Sequence, residues 1–413
     1  MRYALKAVLT ASTFLCFSAI SHAANLEVTH WWTSGGEAAA VKVLADQFNK
    51  SGTDTWVDAA IAGSGNGARP VIVSRILGGN PMGATQLNHG RQAEELVQAG
   101  LMTDLTELAE KEGWATFVRP ASLLESCTFE GKIYCVPLNI HSWQWMWTNP
   151  QAFRDAGVEP PKNLEEFIAA APKLKEKGTV PLATGDTWQV SAIHTVLTAA
   201  VGGKDLYLKV NKDHDAEAAR GPEMRKVWEA FAALRADADP GYVGRSWNEA
   251  TAMVMTGKAG GQIMGDWAQG EFSLAGKVAG KDYDCLPGLG DKPLLEAGGD
   301  AIYFPKNKDP EVTKAQMRLA SIILSKEAQV AFNLAKGSVP VRGDVDMNSA
   351  NACMKKGIAI LENPDNIIPS GDMLRAPDTQ GQMEGLAAEF FADPNMTIDD
   401  AQERYAQIVE QAQ

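Results

Sequence analysis

The chain has 413 residues, of which 45% are hydrophobic and 22% charged, a balance that supplies a large core and excludes general disorder. Its formal net charge of −13 argues against nucleic acid as a partner. No run of about 18 uninterrupted apolar residues follows the N-terminus, which excludes a polytopic membrane protein, and the length suggests two or three domains.

The first 23 residues read as a secretory signal peptide. Arg2 and Lys6 precede an apolar run over 7–20, and Ser21-His22-Ala23 puts small residues at the −3 and −1 positions of a cleavage after Ala23. Cys16 lies inside that run without the small residues expected before a lipoprotein cysteine, so no lipid anchor is expected. Arg2 and Lys6 are two of the 38 basic side chains, so 36 basic face 51 acidic ones beyond the signal segment. Export leaves Cys127, Cys135, Cys285 and Cys353, an even count that suggests two disulfides in an oxidising compartment. Three pairings are possible. The Glu130-Gly131 turn predicts a hairpin over 127–135, which favours Cys127 with Cys135 and Cys285 with Cys353. No CxxC spacing supports zinc, and no metal is expected.

In chain order the pattern predicts a strand over 26–30, a helix over 38–49, a strand over 55–61, a helix over 70–77, a strand over 84–88 and a helix over 91–98. Such alternation indicates a parallel sheet covered by helices, with ligands beyond the carboxyl ends of its strands. That rule points at His30-Trp31-Trp32, at 63–67 and at Asn88-His89. After the hairpin comes a block richer in helices, with helices over 164–177, 190–200 and 223–236. A strand over 300–304 and a helix over 312–334 then revisit the first lobe, so the lobes are not consecutive segments.

Gly63-Ser64-Gly65-Asn66-Gly67-Ala68 fits a dinucleotide fingerprint in its G-x-G-x-x-A form. Arg69-Pro70 interrupts the helix start and nucleotide cofactors are scarce outside the cytoplasm, so the segment reads as a flexible connection and no cofactor is expected. HExxH, GxSxG and P-loop motifs are absent, and Glu37, Asp266 and Asp300 are too unspecific a set of carboxylates to indicate a glycosidase. Tryptophan is the informative residue. Of 11, Trp31, Trp32, Trp143, Trp145, Trp188, Trp247 and Trp267 fall at predicted strand ends or loops, often beside a carboxylate or amide, while Trp56, Trp114 and Trp228 sit inside predicted elements and read as core. A flat ring beside a polar group matches the apolar face and hydroxyl rim of a sugar.

Five segments, in this order and spacing, make the chain resemble the periplasmic sugar-binding proteins of ABC transporters, specifically the family 1 extracellular solute-binding proteins of the glucose-binding type. They are VTHWWTSGGE at 28–37, QLNHG at 86–90, FEGKIYCVP at 129–137, MGDW at 264–267 and KGSVPVR at 336–342. The resemblance implies a two-lobe α/β periplasmic binding protein fold of type II-like form, with hinge crossings near 138–143, 291–299 and 336–342. The first lobe would comprise 24–138 and 299–338, the second 142–292 and 342–413. It further implies Trp31, Trp32, Glu37, Gln86, Trp247, Asp266, Trp267, Asp300 and Lys336 as ligand contacts. Asn88, also expected at the site, stands where close glucose binders have a histidine, and 369–375 lacks another that they carry, with Arg375 a candidate for its place. The implied function is periplasmic, non-enzymatic sugar binding by a monomer that delivers its ligand to the membrane permease, with a monosaccharide such as glucose favoured. An exported glycan-active enzyme and a periplasmic sugar sensor are the alternatives.

Overall fold

A computed structural model describes residues 23–412. The expected signal segment lies outside the described residues up to His22. Two sheets organise the rest. The first has the strand order Thr55–Ala60, Asn25–His30, Ala84–Asn88, Asp300–Tyr303, Cys135–Pro137. Its first three strands are parallel, and Asp300–Tyr303 enters antiparallel between Ala84–Asn88 and Cys135–Pro137. The chain therefore does return to its first sheet near residue 300. Because Asp300 pairs with Asn88, the start of this late strand lies at the carboxyl ends of the early ones.

Alternation explains the strand Asn25–His30, whose Leu26 and Val28 point into the core, and helical spacing explains Gly35–Lys50, which buries Ala40, Val41, Leu44 and Phe48 against the same sheet. Leu319, Ile323 and Phe332 close that core from two later helices. The single helix expected over 312–334 is in fact two, Pro310–Ile323 and Lys326–Lys336. Ser325 accepts a hydrogen bond from the Ala328 N–H and so caps a new helix inside a continuous apolar stripe. The helix expected over 70–77 starts earlier, at Ser64, after Gly63 turns the chain with φ of +97°.

The second sheet has the order Asp284–Pro287, Trp145–Thr148, Ala259–Ile263, Val180–Leu182. Around it pack Leu164–Glu176, Thr187–Ala200, Pro222–Asp237 and the C-terminal helices Pro377–Ala392 and Ile398–Gln411. Trp228 is fully buried in this core, with Phe390 and Tyr405 at 5.0 and 6.0 Å. Trp145, expected at a strand end or loop, opens a central strand and stacks at 5.4 Å on Trp147, so it too belongs to the core. Short paired strands knit the passages between the sheets: Val339–Pro340 with Asn139–Ile140, and Leu295–Ala297 with Ile367–Pro369.

Disulfides join Cys127 to Cys135 and Cys285 to Cys353. The first closes the expected hairpin, where Glu130 and Gly131 both take positive φ, as a two-residue turn between right-twisted strands requires. The second ties Asp284–Pro287 to the helix Ala352–Leu361.

Candidate functional site

The cleft between the two sheets is built at the edge that the strand order selects. Asn25–His30 ends at His30, and the chain turns through Trp31 and Trp32 into Ser34, whose hydroxyl accepts from the Glu37 N–H and donates to the Glu37 carboxylate at 3.1 Å. This places Glu37 in the first helical turn, facing inward. A Cβ on Gly36 would lie 2.6 Å from the backbone of Gly270, so two glycines let Gly35–Lys50 cross the helix Ala268–Leu274 closely. The Glu271 carboxylate accepts from the Gly36 N–H at 2.7 Å across this crossing, tying the helix that follows Trp267 to the one that follows Trp32.

Lys336 ends its helix because Gly337 takes φ of +91°. Its ammonium is 3.0 Å from a Glu37 carboxylate oxygen and 5.7 and 5.9 Å from the Trp32 and Trp267 rings. Burial works against the charge on Lys336, and the carboxylates of Glu37 and Asp300 outweigh it, leaving its pKa raised. A buried ion pair thus sits beside two rings.

Asp300 is the second polar centre. It accepts from Gln86 Nε2 at 2.6 Å and from Asn139 Nδ2 at 3.0 Å, with His141 Nδ1 at 3.4 Å. Burial alone would raise its pKa, but His141, Lys336 and the Asn139 amide hold it below the ordinary carboxylate range. For His141 burial is opposed by the same carboxylate, and the net shift is upward. Asp266 behaves differently: burial dominates and pushes its pKa up to about 7, against the pull of His141 and the Ser142 N–H. One of its oxygens accepts from Ser142 at 3.1 Å, and the other has no partner among the described residues.

Of the ten expected ligand contacts, eight line the cavity: Trp31, Trp32, Glu37, Asn88, Trp247, Trp267, Asp300 and Lys336. Gln86 and Asp266 do not. Gln86 stands behind the wall, accepting from the Trp31 N–H at 3.0 Å while donating to Asp300, so it orients two lining residues. Asp266 is not a lining residue; it lies next to Trp267 in the chain and accepts from the Ser142 N–H. Ser64, Gly65 and Asn66 of the glycine-rich segment form part of the wall, with Gly65 against the Trp31 ring.

The structure adds lining residues that the sequence left uncommitted. Trp143 lies edge-on to Trp267 at 4.6 Å, and Trp188 edge-on to Trp143 at 5.7 Å. Their signal was available, since both tryptophans fall beside predicted turns. Asp372 accepts from Asn88 Nδ2 at 2.6 Å and Gln92 Nε2 at 3.1 Å, bridging the cleft. Arg375 also lines the cavity, buried and donating to Asn211 Oδ1 at 3.0 Å. No periodicity announces either residue. A single helical turn, Gly371–Leu374, delivers them.

The architecture and the cleft define a two-lobe solute-binding fold. A family model described as bacterial extracellular solute-binding protein matches residues 32–330, and the chain belongs to that family. It is 39% identical over 396 residues to a protein of Rhizobium meliloti named "Probable sugar-binding periplasmic protein", covering 95% of this chain and 91% of the relative. A protein of Mesorhizobium japonicum with the same name is 39% identical over 358 residues, covering 85% and 84%. Among solved structures, the bacterial solute receptor AcbH, described with a preference for β-D-galactopyranose, superposes with a TM-score of 0.77 at 22% identity over 94% of this chain and 98% of that one. Maltose-bound MalE3 of T. maritima superposes with a TM-score of 0.76 at 17% identity, over 94% and 100%. These structural likenesses concern the fold.

Proposed function

We propose that the mature protein is the periplasmic sugar-binding component of an ABC importer, which closes its lobes on a hexopyranose such as glucose and delivers it to the permease. The observation that carries this reading is the placement of Trp32 and Trp267 around the Lys336–Glu37 pair. Rings supply an apolar platform and the pair supplies a charged donor and acceptor, which is what the two surfaces of a sugar require. The names of the R. meliloti and M. japonicum relatives support the ligand class.

The mechanism follows from where the contacts originate. Trp32, Glu37, Asp300 and Lys336 belong to the first sheet and its covering helices, whereas Trp247 and Trp267 pack with the second. A ligand that touches both sets binds the closed arrangement better than the open one and shifts the population toward closure. The lobes would divide near 138–142, 292–299 and 338–342, and the protein would act as a monomer. No covalent step is involved.

One observation favours the enzyme alternative, because the pKa values of Asp266 and Asp300 are driven apart as in an acid and nucleophile pair. Asp266, however, is not among the lining residues and accepts from the Ser142 N–H, which suits a bracing role better than that of a general acid. Titration calorimetry with neutral monosaccharides, paired with small-angle scattering, tests the proposal. One sugar binds per chain and reduces the radius of gyration. A folded protein that binds none of them, or that cleaves oligosaccharides, overturns it.

A further inference from the structure

The strand Asn25–His30 begins where the expected signal cleavage falls. Ala23 is exposed, whereas Ala24 is 6% exposed and packs into the first core. The Ala24 carbonyl accepts from the Thr55 N–H at 2.9 Å and so opens the ladder to Thr55–Ala60. Its nitrogen takes no part in that ladder. It donates instead to the Asp54 carboxylate, 2.8 Å away.

Asp54 is held for this contact by elements distant in sequence. Its second oxygen lies 2.9 Å from Arg318 Nη2, on the helix Pro310–Ile323, and the Arg318 guanidinium lies over the Phe48 ring at 4.3 Å. The Asp54 and Arg318 side chains are 18 and 23% exposed. A Cβ on Gly52 would collide with Arg318 Nη1, so glycine in this turn makes room for the arginine. One oxygen of the carboxylate thus faces Arg318, and the other is left to residue 24. Because Ala23 lies in solvent, a chain beginning at Ala24 keeps water around the hydrogens that Asp54 does not take.

We infer that export processing completes this end of the sheet: cleavage between Ala23 and Ala24 frees an α-ammonium that pairs with Asp54 and locks the first strand of the mature fold. The step is a hydrolysis by the signal endopeptidase of the export machinery. Water adds to the Ala23 carbonyl carbon and the C–N bond to Ala24 breaks. The acyl carbon keeps the oxygen as a carboxylate, and the Ala24 nitrogen takes both protons and becomes an ammonium. Coulomb attraction then adds to the hydrogen bond already in place. A precursor, with an uncharged amide at residue 24, has the hydrogen bond alone. The inference goes beyond the sugar-binding reading and does not depend on it.

Two precursors test this, exported and oxidised by the same route: the natural one, and one with Gly-Ser inserted between Ala23 and Ala24, whose product keeps the Ala24 nitrogen an amide. Intact mass and terminal sequencing should place the natural N-terminus at Ala24. Urea unfolding at about pH 7 should give the natural product a folding constant about 5-fold larger than that of the extended one, the scale of one partly exposed ion pair. Asp54→Asn, introduced into both, should abolish the margin. The margin also has a pH signature. An unpaired α-amino group titrates at about pH 8, and pairing holds its proton to higher pH, so the contribution is full below about pH 7.5 and is lost as pH rises through the folded value. Asp54 and Arg318, the charged groups that face the nitrogen, are shared by the two chains and cancel in the comparison. A natural N-terminus at another residue, equal stability of the two products, a margin unchanged by Asp54→Asn, or one that does not shrink between about pH 7 and about pH 10 overturns the inference. If Asp54→Asn does not fold, the pH comparison of the two parent chains decides.

Discussion

Replacing Lys336 by methionine isolates the charge at the centre of the cleft. Methionine is close in length to the aliphatic stem of lysine, so packing between Trp32 and Trp267 is kept and the ammonium is lost. The Lys336 and Glu37 side chains are 3 and 9% exposed, and their charged atoms are 3.0 Å apart. Removing one partner strands the other. Such breakage of a buried pair costs about 3 to 5 kcal/mol, whereas replacing both partners by neutral groups is often close to neutral. Glu37 would retain the Ser34 hydroxyl, which places Lys336→Met at the lower end, about 3 kcal/mol. Urea unfolding of the ligand-free protein measures this, with an unchanged m-value as the sign that the folded state is intact. The double variant Lys336→Met/Glu37→Gln should recover most of the loss. Sugar affinity should fall about 10- to 150-fold in both variants, because each lacks the charged donor. A single variant within about 1 kcal/mol of wild type, or a double variant no more stable than the single one, refutes the reasoning.

Asp266→Asn should flatten the pH dependence of stability. The folded carboxyl titrates at about 7, above its unfolded value, so between about pH 4 and 7 the folded state binds the extra proton and wild-type stability falls as pH rises. The asparagine side chain resembles the protonated acid, and urea midpoints at pH 5 and 8 should differ less in the variant, with parallel curves counting against the argument. Opening the Cys285–Cys353 bridge, which spans 68 residues, should cost about 4 kcal/mol, against about 2.5 kcal/mol for the 8-residue Cys127–Cys135 loop, read from denaturation of serine variants. Trp228→Ala should cost about 3 to 5 kcal/mol and leave sugar affinity unchanged, since the ring is buried among Phe390, Tyr405 and His194 and is not itself part of the cleft lining.

How far the sequence revealed this molecule depended on the range of the interactions involved. The first sheet was legible because strand and helix periods alternate cleanly over 25–98, and Trp31-Trp32 could be placed at the cleft because the strand before them ends at His30. The 127–135 hairpin was legible from one turn. The break at Ser325 was missed because apolar spacing runs unbroken from Leu319 and Ile323 to Phe332, and only the Ser325 cap divides it. Gln86 and Asp266 show the limit at the site. Residue type marked them as polar groups near the cleft, but whether such a group faces the ligand or braces a neighbour depends on contacts as distant in sequence as Gln86 with Asp300. Asp372 and Arg375 depend on more remote packing still, because the chain that carries them is held to the second core by the Tyr207 hydroxyl, which donates to the Pro369 carbonyl at 3.0 Å.

Crystallography of the protein with the sugar that calorimetry ranks tightest tests the central claim most directly. The account predicts one pyranose ring between Trp32 and Trp267, with hydroxyls within hydrogen-bonding distance of Lys336, Glu37 and Asp300. Density for that sugar on the outer surface, with the cleft free of it, would contradict the account.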